Sequence, residues 1–398
     1  MITLADIRSA QERVREVIRP TPVDASNTMT KLAGRPILFK PEHRQRTGSF
    51  KIRGAYNLIS RLDPGVEVVA ASAGNHAQGV AFASARTGHQ ATIFMPANAA
   101  LPKVEATRNY GATVRLEGGV VDDCLIAAQD YAAATGAVYV PPFDHPLVIA
   151  GQGTVGLEIA ESGHDIDVVV VPVGGGGLIS GIATALAETG RARVIGVEAA
   201  GAPAMRASLD AGRCVRLDRV ATMADGIAVR SVSDLTLEHV AARVDDIVTV
   251  TEEEISRSIL LLLERAKAVV EPAGAVALAA ILAGRVPGTG PALAVLSGGN
   301  VDPLLLLKLI DHGLSAAGRY LLLRVVLDDR PGALAGLTRA VADMGVNVLE
   351  VEHHRAGVHL GVTEVEVLLT VETRDRPHGA DVVAGLLDAG FRVRPGQG

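Results

Sequence analysis

The stretch VVVVPVGGGGLI (168–179) indicates the fold class of the chain. Four consecutive valines predict a strand that is buried on both faces, and the apolar residues after the glycines predict a helix. A buried strand that runs directly into a helix is typical of a parallel sheet in an α/β protein. Four glycines at the junction leave backbone N–H groups uncovered where the helix dipole attracts anions. The stretch therefore predicts a phosphate-binding loop. It has neither the GxGxxG pattern of dinucleotide-binding folds nor the GKS or GKT of a P-loop.

Short β-branched runs alternate with alanine-rich helical stretches on both sides of this loop. The predicted strands are 66–72, 91–96, 112–118, 167–174, 193–199 and 292–300, and the predicted helices are 75–88, 101–111, 122–136 and one from Gly177. The alternation predicts parallel sheets covered on both faces by helices.

The pattern changes at about residue 318. From Tyr320 the order of predicted elements is β-α-β-β-α-β, which is a ferredoxin-like unit. The small and polar residues of HGLSAAGR (312–319) read as a linker. We therefore expect two domains, 1–318 and 319–398.

Composition and charge exclude several functions. The net charge is −6, and no basic run interleaves with aromatic residues, so nucleic-acid binding is not indicated. Cys124 and Cys214 are far apart, which predicts neither a disulfide framework nor a CxxC metal site. The N-terminus reads as a charged amphipathic helix, and the apolar runs are too short or too rich in glycine to span a bilayer. We expect a soluble cytoplasmic protein.

The segment TGSFKIRG (47–54) places Lys51 directly after an aromatic residue and between two glycines. Alone, Lys51 would read as an ordinary surface lysine. Next to a phosphate loop, a lysine in a partly dry site loses its proton more easily and becomes a nucleophile or a Schiff-base former.

Two further polar stretches follow predicted strands. SAGNH (72–76) offers a hydroxyl, an amide side chain and backbone N–H groups that suit a carboxylate, while a helix-start histidine is usually structural. SGGN (297–300) offers the hydroxyl of Ser297 to a heteroaromatic nitrogen. In parallel α/β sheets such stretches meet beyond the carboxyl ends of the strands. A phosphate loop, a ring-nitrogen partner and a Schiff-base lysine are the attachments that pyridoxal phosphate needs.

These motifs together resemble the fold-type II pyridoxal-phosphate enzymes, and within them the threonine dehydratases (threonine ammonia-lyases). The segments TGSFKIRGA, SAGNHAQG, VPVGGGGL, EPAG (271–274) and LSGGN follow the order and spacing of that family over essentially the whole chain. The resemblance implies an α/β fold of two subdomains, similar to the tryptophan synthase β chain, with parallel sheets. The smaller subdomain is expected at about 50–145, inserted in the catalytic domain 1–318, and a ferredoxin-like ACT domain is expected at 319–398.

The resemblance also implies a role for each site residue. Lys51 matches the lysine that binds the cofactor and takes the substrate's α-proton. The other cofactor-binding matches are Phe50 at the ring face, Asn75 at the ring's 3-hydroxyl, Ser297 at the ring nitrogen, and Gly174, Gly175, Gly176, Gly177 and Leu178 at the phosphate. The matches for the substrate carboxylate are Ser72, Ala73, Gly74, Asn75 and His76.

Two positions bear on the type of reaction that the resemblance implies. A hydroxyl at Ser297 does not protonate the pyridine ring, which favours prompt β-elimination over a long-lived carbanion. Serine racemases carry a second serine where this chain has Ala73, and alanine cannot return a proton. We therefore expect L-threonine to give 2-oxobutanoate and ammonia, and L-serine to give pyruvate.

The racemase-like members of the family hold a divalent cation through a glutamate and an aspartate. Glu198 matches the glutamate, but the second position is Ala204. One carboxylate is a poor site for a divalent cation, so we expect no metal. A monovalent cation held by carbonyl groups is still compatible with the sequence.

The C-terminal unit resembles an ACT domain through DDRPGALAGL (328–337). In that family the corresponding turn binds end-product amino acids, so the regulatory residues implied here are Asp329, Arg330, Pro331, Gly332 and, on the stretch expected to face them, Asn347. Isoleucine or valine are the implied effectors, and a homodimer or homotetramer is the implied assembly.

The sequence leaves other functions open. The leading hypothesis is the first step toward isoleucine under feedback regulation. A catabolic serine/threonine dehydratase would use the same chemistry, and threonine synthase is a more distant alternative. A non-enzymatic amino-acid sensor is a further alternative, which an intact Lys51 opposes.

Overall fold

The computed structural model of the protein describes residues 1–189, 192–316, 318–355 and 360–395. The chain forms two compact units, Met1–Pro303 and Leu304–Gly398. The strands of the first unit are β1 (Asp24–Ala25), β2 (Ile37–Lys40), β3 (Val68–Ala71), β4 (Ala91–Met95), β5 (Thr113–Leu116), β6 (Val138–Tyr139), β7 (Val168–Pro172), β8 (Arg193–Ala199), β9 (Asp246–Val250) and β10 (Ala292–Val295).

The helices of the first unit surround these strands. They are α1 (Leu4–Val14), α2 (Asn27–Ala33), α3 (Lys51–Ile59), α4 (Asn75–Thr87), α5 (Leu101–Asn109), α6 (Val121–Thr135), α7 (Pro146–Ala160), α8 (Gly177–Thr189), α9 (Ala204–Ala211), α10 (Asp234–Arg243), α11 (Glu252–Ala266) and α12 (Pro272–Leu282). Short 3-10 turns lie at Glu42–Arg44, Arg46–Gly48 and Asp225–Ile227. Helix α13 (Pro303–Ala316) begins at the last residue of the first unit and continues into the second.

The first unit contains two sheets. The larger has the order β1-β2-β10-β7-β8-β9 and is parallel except for the antiparallel pair β1 and β2. The smaller has the order β5-β4-β3-β6, is parallel throughout, and lies within 68–139. The four valines that begin β7 have no exposed surface, because strands of a sheet with helices on both faces are buried on both faces. The predicted α/β class with parallel sheets is confirmed.

The described residues of the second unit form an antiparallel sheet in the order β12-β13-β11-β14. Its elements are β11 (Tyr320–Asp328), α14 (Ala333–Asp343), β12 (Asn347–His354), β13 (Glu364–Glu372), α15 (Arg376–Asp388) and β14 (Arg392–Pro395). This is the β-α-β-β-α-β order expected from the sequence. Helix α15 begins at Arg376, because the Asp375 side chain accepts the N–H of His378 at 2.8 Å and caps the helix. The domain boundary at 318/319 stays a prediction.

The fold brings three loops to the carboxyl ends of strands. Residues 72–74 follow β3 and lead into α4, residues 173–176 follow β7 and lead into α8, and residues 296–300 follow β10. None of the helices in the described part of the chain combines the length and the apolar character needed to cross a bilayer.

Candidate active site

Lys51 is the first residue of α3, and its side chain is half-buried. Its Nζ donates a hydrogen bond of 2.9 Å to the carbonyl oxygen of Pro142 and lies 5.2 Å from the centre of the Phe50 ring. Burial lowers the pKa of Lys51 to about 8, although the carboxyl group of Glu271 opposes this shift. A substantial share of these amines is therefore neutral and nucleophilic in mildly alkaline solution.

Backbone hydrogen bonds fix the segment that presents Lys51. The N–H of Phe50 donates to the carbonyl oxygen of Ser297 at 3.2 Å, and the N–H of Gly299 donates to that of Gly48 at 2.9 Å. Gly48 has φ +73°, and a Cβ there would lie 2.4 Å from Oδ1 of Asn300. A side chain at position 48 is therefore excluded by conformation and by space. The TGSFK and SGGN segments are held together as one wall of the site.

The glycine loop, residues 174–177, connects β7 to α8, and the packing behind it requires glycine. A Cβ at Gly175 would lie 2.2 Å from the Phe143 ring, and a Cβ at Gly174 would lie 2.9 Å from Cα of Ile227. Gly176 has φ +90°. The loop therefore presents backbone without side chains at the start of a helix, where N–H groups and the helix dipole attract an anion. Leu178 follows it and is buried in the core of the larger sheet.

Pro142 and Phe143 link the glycine loop to Lys51. The carbonyl group of Pro142 accepts the Lys51 hydrogen bond, while Phe143 packs against two of the four glycines, Gly175 and Gly177. Because these two residues are adjacent in the chain, the lysine and the anion-binding loop belong to one site. Sequence reasoning expected the two to meet but did not identify the residues that join them.

The SAGNH loop, residues 72–76, connects β3 to α4, and its first four residues are half-buried. The hydroxyl group of Ser72 accepts the N–H of Gly74 at 3.1 Å, and α4 begins at Asn75. The first N–H groups of a helix have no partner within the helix, so the loop can bind an anion. Ala73 contributes backbone only.

His76 is buried, and its Nε2 lies 2.8 Å from the carbonyl oxygen of Val140. Since a carbonyl only accepts, Nε2 carries the proton. Burial, followed by the charge of Lys51, lowers the pKa of His76 to about 3. The ring is therefore neutral at physiological pH and has a structural contact, and the backbone N–H of His76 lies in the first turn of α4, where it can serve a ligand.

A chain of side-chain hydrogen bonds passes behind Asn75. Asn300 Nδ2 donates to the carbonyl oxygen of Thr47 at 2.7 Å and to Asn75 Oδ1 at 2.8 Å. Asn75 Nδ2 in turn donates to Glu271 Oε1 at 2.6 Å. Sequence reasoning quoted EPAG and SGGN as motifs but assigned no role to Glu271 or Asn300.

Glu271 is almost fully buried, with 3% of its surface exposed. Burial and the charge of Asp225 raise the pKa of Glu271 to about 7, against the Asn75 hydrogen bond and the charges of Lys103 and Lys51. A Cβ at Gly298 would lie 2.2 Å from Glu271 Oε1, so the glycine makes room for this carboxyl group. The carboxyl group is thus part of the floor of the site.

Ser297 follows β10, with 3% of its surface exposed, and its backbone holds Phe50. The structure therefore connects Lys51 and Phe50 with Ser297, Asn75 and, through Phe143, the glycine loop. The roles assigned to these residues from the sequence stay predictions.

Glu198, which matches the cation-binding glutamate of the racemase-like members, has structural contacts. Its two carboxylate oxygens accept the N–H groups of Met205 at 2.7 Å and Arg206 at 2.9 Å, at the start of α9. Burial raises the pKa of Glu198 to about 7. Within residues 1–189, 192–316, 318–355 and 360–395, no three His, Cys, Asp or Glu side chains are grouped as a metal site would need.

The predicted regulatory residues lie at two ends of the second unit. Asp329, Arg330, Pro331 and Gly332 follow the last residue of β11, whereas Asn347 pairs with Glu372, which also pairs with the first residue of β11. The turn and Asn347 therefore do not meet within one chain. A cavity of about 580 Å³ lies at the Asn347 end, where Arg319, Arg374 and His378 contribute to its lining.

Comparisons with known proteins find ammonia-lyases, dehydratases and amino-acid racemases. A family model described as pyridoxal-phosphate dependent enzyme matches residues 14–298, and an ACT domain model matches residues 321–388. An L-threonine ammonia-lyase of Thermotoga maritima is 47% identical over an alignment of 399 positions, gaps included, that covers 99% of this chain and 99% of that protein. The Escherichia coli (strain K12) protein named L-threonine dehydratase catabolic TdcB is 42% identical over 308 residues, or 76% of this chain and 94% of its own length. A crystal structure of a T.th. threonine deaminase matches with a TM-score of 0.72 and 41% identity, covering 76% of this chain and 99% of that one.

Proposed function

We infer the function of this chain from its family: it belongs to the pyridoxal-phosphate dependent enzymes, and its second unit contains an ACT domain. We propose that it is a threonine ammonia-lyase that converts L-threonine to 2-oxobutanoate and ammonia, and that also converts L-serine to pyruvate. The T. maritima relative that carries the name of this activity matches along nearly the whole of both chains, including the second unit.

The residues of the site fit pyridoxal phosphate. A Cβ at Gly175 would collide with the Phe143 ring, so the loop is backbone without side chains there, and a phosphate needs such bare N–H groups. The half-buried Lys51 offers an amine that is partly neutral, as condensation with an aldehyde requires. We propose that the cofactor is held by residues 174–178 at the phosphate, Lys51 at the aldehyde, Asn75 at the 3-oxygen, Ser297 at the ring nitrogen and Phe50 at the ring face.

When bound, pyridoxal phosphate supplies an aldehyde that condenses with amines and a conjugated ring that withdraws electrons from the substrate's Cα. Lys51 takes the α-proton at Nζ, and its lowered pKa lets it act as a base near physiological pH. The hydroxyl group of Ser297 would hold the ring nitrogen without giving it a full proton, and this would favour prompt loss of the substrate's β-hydroxyl group.

The SAGNH loop is our proposed site for the substrate carboxylate. The loop supplies the Ser72 hydroxyl group and the first N–H groups of α4, beside Lys51. Racemisation needs a second proton donor on the face of Cα opposite Lys51. Ala73 has no such group, so we propose elimination rather than racemisation.

The observation that carries the proposal is the hydrogen bond from Lys51 Nζ to Pro142, whose neighbour Phe143 packs on the glycine loop. The experiment is a steady-state assay of ammonia and 2-oxo acid release from L-threonine and from L-serine, with the cofactor added. We expect turnover of both, with threonine preferred. Turnover of neither, in protein that binds the cofactor, would reject the proposed reaction.

We propose that the second unit regulates the first step toward isoleucine, with isoleucine or valine as effector. Residues 329–332 and Asn347 remain our candidates, and because they lie at opposite ends of one unit, a site that uses both would need two chains. Deleting residues from 319 onward should leave catalysis within about threefold and remove the response to isoleucine. A truncated enzyme that still responds would place the effector elsewhere.

The alternative is a catabolic dehydratase. The relative named catabolic TdcB favours it, although that match covers only 76% of this chain. Adding isoleucine to the assay separates the two, because only the biosynthetic role predicts inhibition. An inactive amino-acid sensor would show no turnover at all.

We propose a homodimer or homotetramer, because ACT units usually pair through their sheets and the edge strand β12 is exposed along most of its length. We also propose that the enzyme acts in the cytoplasm. The two cysteines, Cys124 and Cys214, are free thiols, as in proteins of a reducing compartment.

A further inference from the structure

The hydrogen-bond chain behind Asn75 has a direction that the backbone fixes. A backbone carbonyl only accepts, so the Asn300 group that contacts Thr47 O must be its NH2 group. The same nitrogen contacts Asn75, so the Asn75 atom there must be its oxygen. The NH2 group of Asn75 then faces Glu271 and donates to Oε1. The orientation of the Asn75 amide is therefore set by residues on both sides.

The two ends of this chain are themselves held in place. Thr47 is a β-branched residue with φ 62° and ψ 10°, a left-handed conformation that is unfavourable for such a residue and persists only where the surroundings impose it. Glu271 has 3% of its surface exposed, and its backbone N–H donates to the carbonyl oxygen of Gly298 at 3.1 Å. Strain of this kind is concentrated at functional sites. The hydrogen-bond chain thus begins at the strained backbone of Thr47 and ends at the buried carboxyl group of Glu271.

An asparagine amide has two N–H donors, and Glu271 uses one of them. Without Glu271 and Asn300, the amide could rotate by half a turn and present its oxygen where it now presents its nitrogen. An amide oxygen would repel a ring oxygen that carries negative charge, whereas an N–H group attracts it. The orientation of the amide therefore decides whether Asn75 favours or disfavours binding of the cofactor.

We propose that Glu271 and Asn300 are positioning residues that hold the Asn75 amide with its free N–H available to the 3-oxygen of the bound cofactor. This inference rests on the proposed function, since it takes pyridoxal phosphate to be the ligand of the site. Neither residue needs to contact the cofactor. Both residues act on Asn75, and Glu271→Gln, which like Glu271→Ala removes the charge that acts on Lys51 but keeps an acceptor for Asn75, separates the two effects.

The test compares near-isosteric variants of the full-length protein by equilibrium dialysis with pyridoxal phosphate and by the visible absorbance of the bound cofactor. Asn300→Asp removes the two donors of the chain but keeps its shape, so we expect the dissociation constant to rise about tenfold, the value of one lost hydrogen bond. Glu271→Ala should have a similar effect. Glu271→Gln keeps an oxygen acceptor for Asn75 and should stay within about threefold of the wild type.

Glu198→Gln is the matched control, because Glu198 is also a buried carboxyl group with a raised pKa but caps α9. It should leave cofactor affinity and absorbance unchanged. Should Glu271→Ala fail to fold, Asn300→Asp carries the test, since Asn300 is only half-buried. Wild-type affinity in Asn300→Asp, or equal losses in Glu271→Gln and Glu271→Ala, would overturn the inference. A wild-type protein that binds no cofactor would instead reject the proposed function.

Discussion

Helix α3 carries two cations two residues apart, Lys51 and Arg53, whose surroundings are opposite. The guanidinium group of Arg53 is fully buried and makes two hydrogen bonds to Glu42, both 2.8 Å, and two to Glu158, at 2.6 and 2.9 Å. These carboxylates raise the pKa of Arg53 above its usual range despite its burial. The Nζ of Lys51 instead donates to the carbonyl oxygen of Pro142, and the pKa of Lys51 falls to about 8. The two carboxylates that accept hydrogen bonds from Arg53 outweigh the effect of burial on its pKa, whereas the charge of Glu271 does not outweigh it on Lys51.

Arg53 belongs to a cluster in which positive and negative charges balance. Lys40, also fully buried, donates from Nζ to Glu158 Oε2 and to the carbonyl oxygen of Thr21, each at 2.5 Å. Two cations thus face two anions, Glu42 and Glu158, on residues of β2, the turn Glu42–Arg44, α3 and α7. The cluster holds the first turn of α3 in place. That same turn therefore carries both the charge-paired Arg53 and the reactive amine of Lys51.

Removing the reactive amine has the largest expected effect. Lys51→Ala deletes both the attachment of the cofactor and the base, so turnover of L-threonine should fall by about 10⁴-fold or more. The measurement is ammonia release, with borohydride reduction and peptide mapping of the wild type to locate the cofactor on Lys51. The exposed Lys31 on α2 provides the control Lys31→Ala, which should keep full activity. Label on another lysine would contradict the assignment.

Breaking the balanced cluster should affect stability first. Arg53→Met leaves two carboxylates without their main partner in the interior, which costs about 3–5 kcal/mol of unfolding free energy. Urea unfolding measures it. The exposed pair Arg285 and Glu254, 2.7 Å apart, gives the control Arg285→Met, with a loss of about 1 kcal/mol or less. Equal losses of unfolding free energy in the two variants would show that the buried cluster stabilises the fold no more than an exposed ion pair does.

The low pKa of Lys51 implies a stability cost for the cofactor-free protein. The folded pKa of about 8 lies below the usual 10.5, so between these values the unfolded state binds more protons and stability rises with pH. Lys51→Met removes the cost, and the cofactor-free variant should be about 2 kcal/mol more stable than the cofactor-free wild type at pH 7, after allowance for partial solvent contact. Urea unfolding should show a smaller difference in unfolding free energy between the variant and the wild type at pH 10 than at pH 7. A difference that does not change with pH would reject the electrostatic cause.

The sequence predicted the reactive side of this comparison far better than the balanced side. Strand-to-helix junctions at 72–76 and 174–177 follow from local periodicity and glycine content, and Lys51 stands out because of its neighbours. Arg53 and Glu158 are 105 residues apart, and each alone reads as a surface charge. Glu271 and Asn75, 196 residues apart, were missed as a pair for the same reason. Side-chain pairs that form only in the tertiary structure leave no periodic pattern in the sequence.

The smallest expected effect is the most direct test of this comparison. It comes from replacing Glu271, the carboxyl group whose charge acts on Lys51. Glu271 opposes the fall in the pKa of Lys51, so Glu271→Gln should lower that pKa below about 8 by less than one unit. The pH dependence of Lys51 acetylation in cofactor-free protein, followed by mass spectrometry of its peptide, measures the midpoint. Glu198→Gln should leave the midpoint in place, since Glu198 is absent from the charges that act on Lys51. A midpoint that rises in Glu271→Gln would mean that Glu271 removes protons from Lys51 instead of retaining them. The contrast between Lys51 and Arg53 would then need a cause other than the nearby carboxylates.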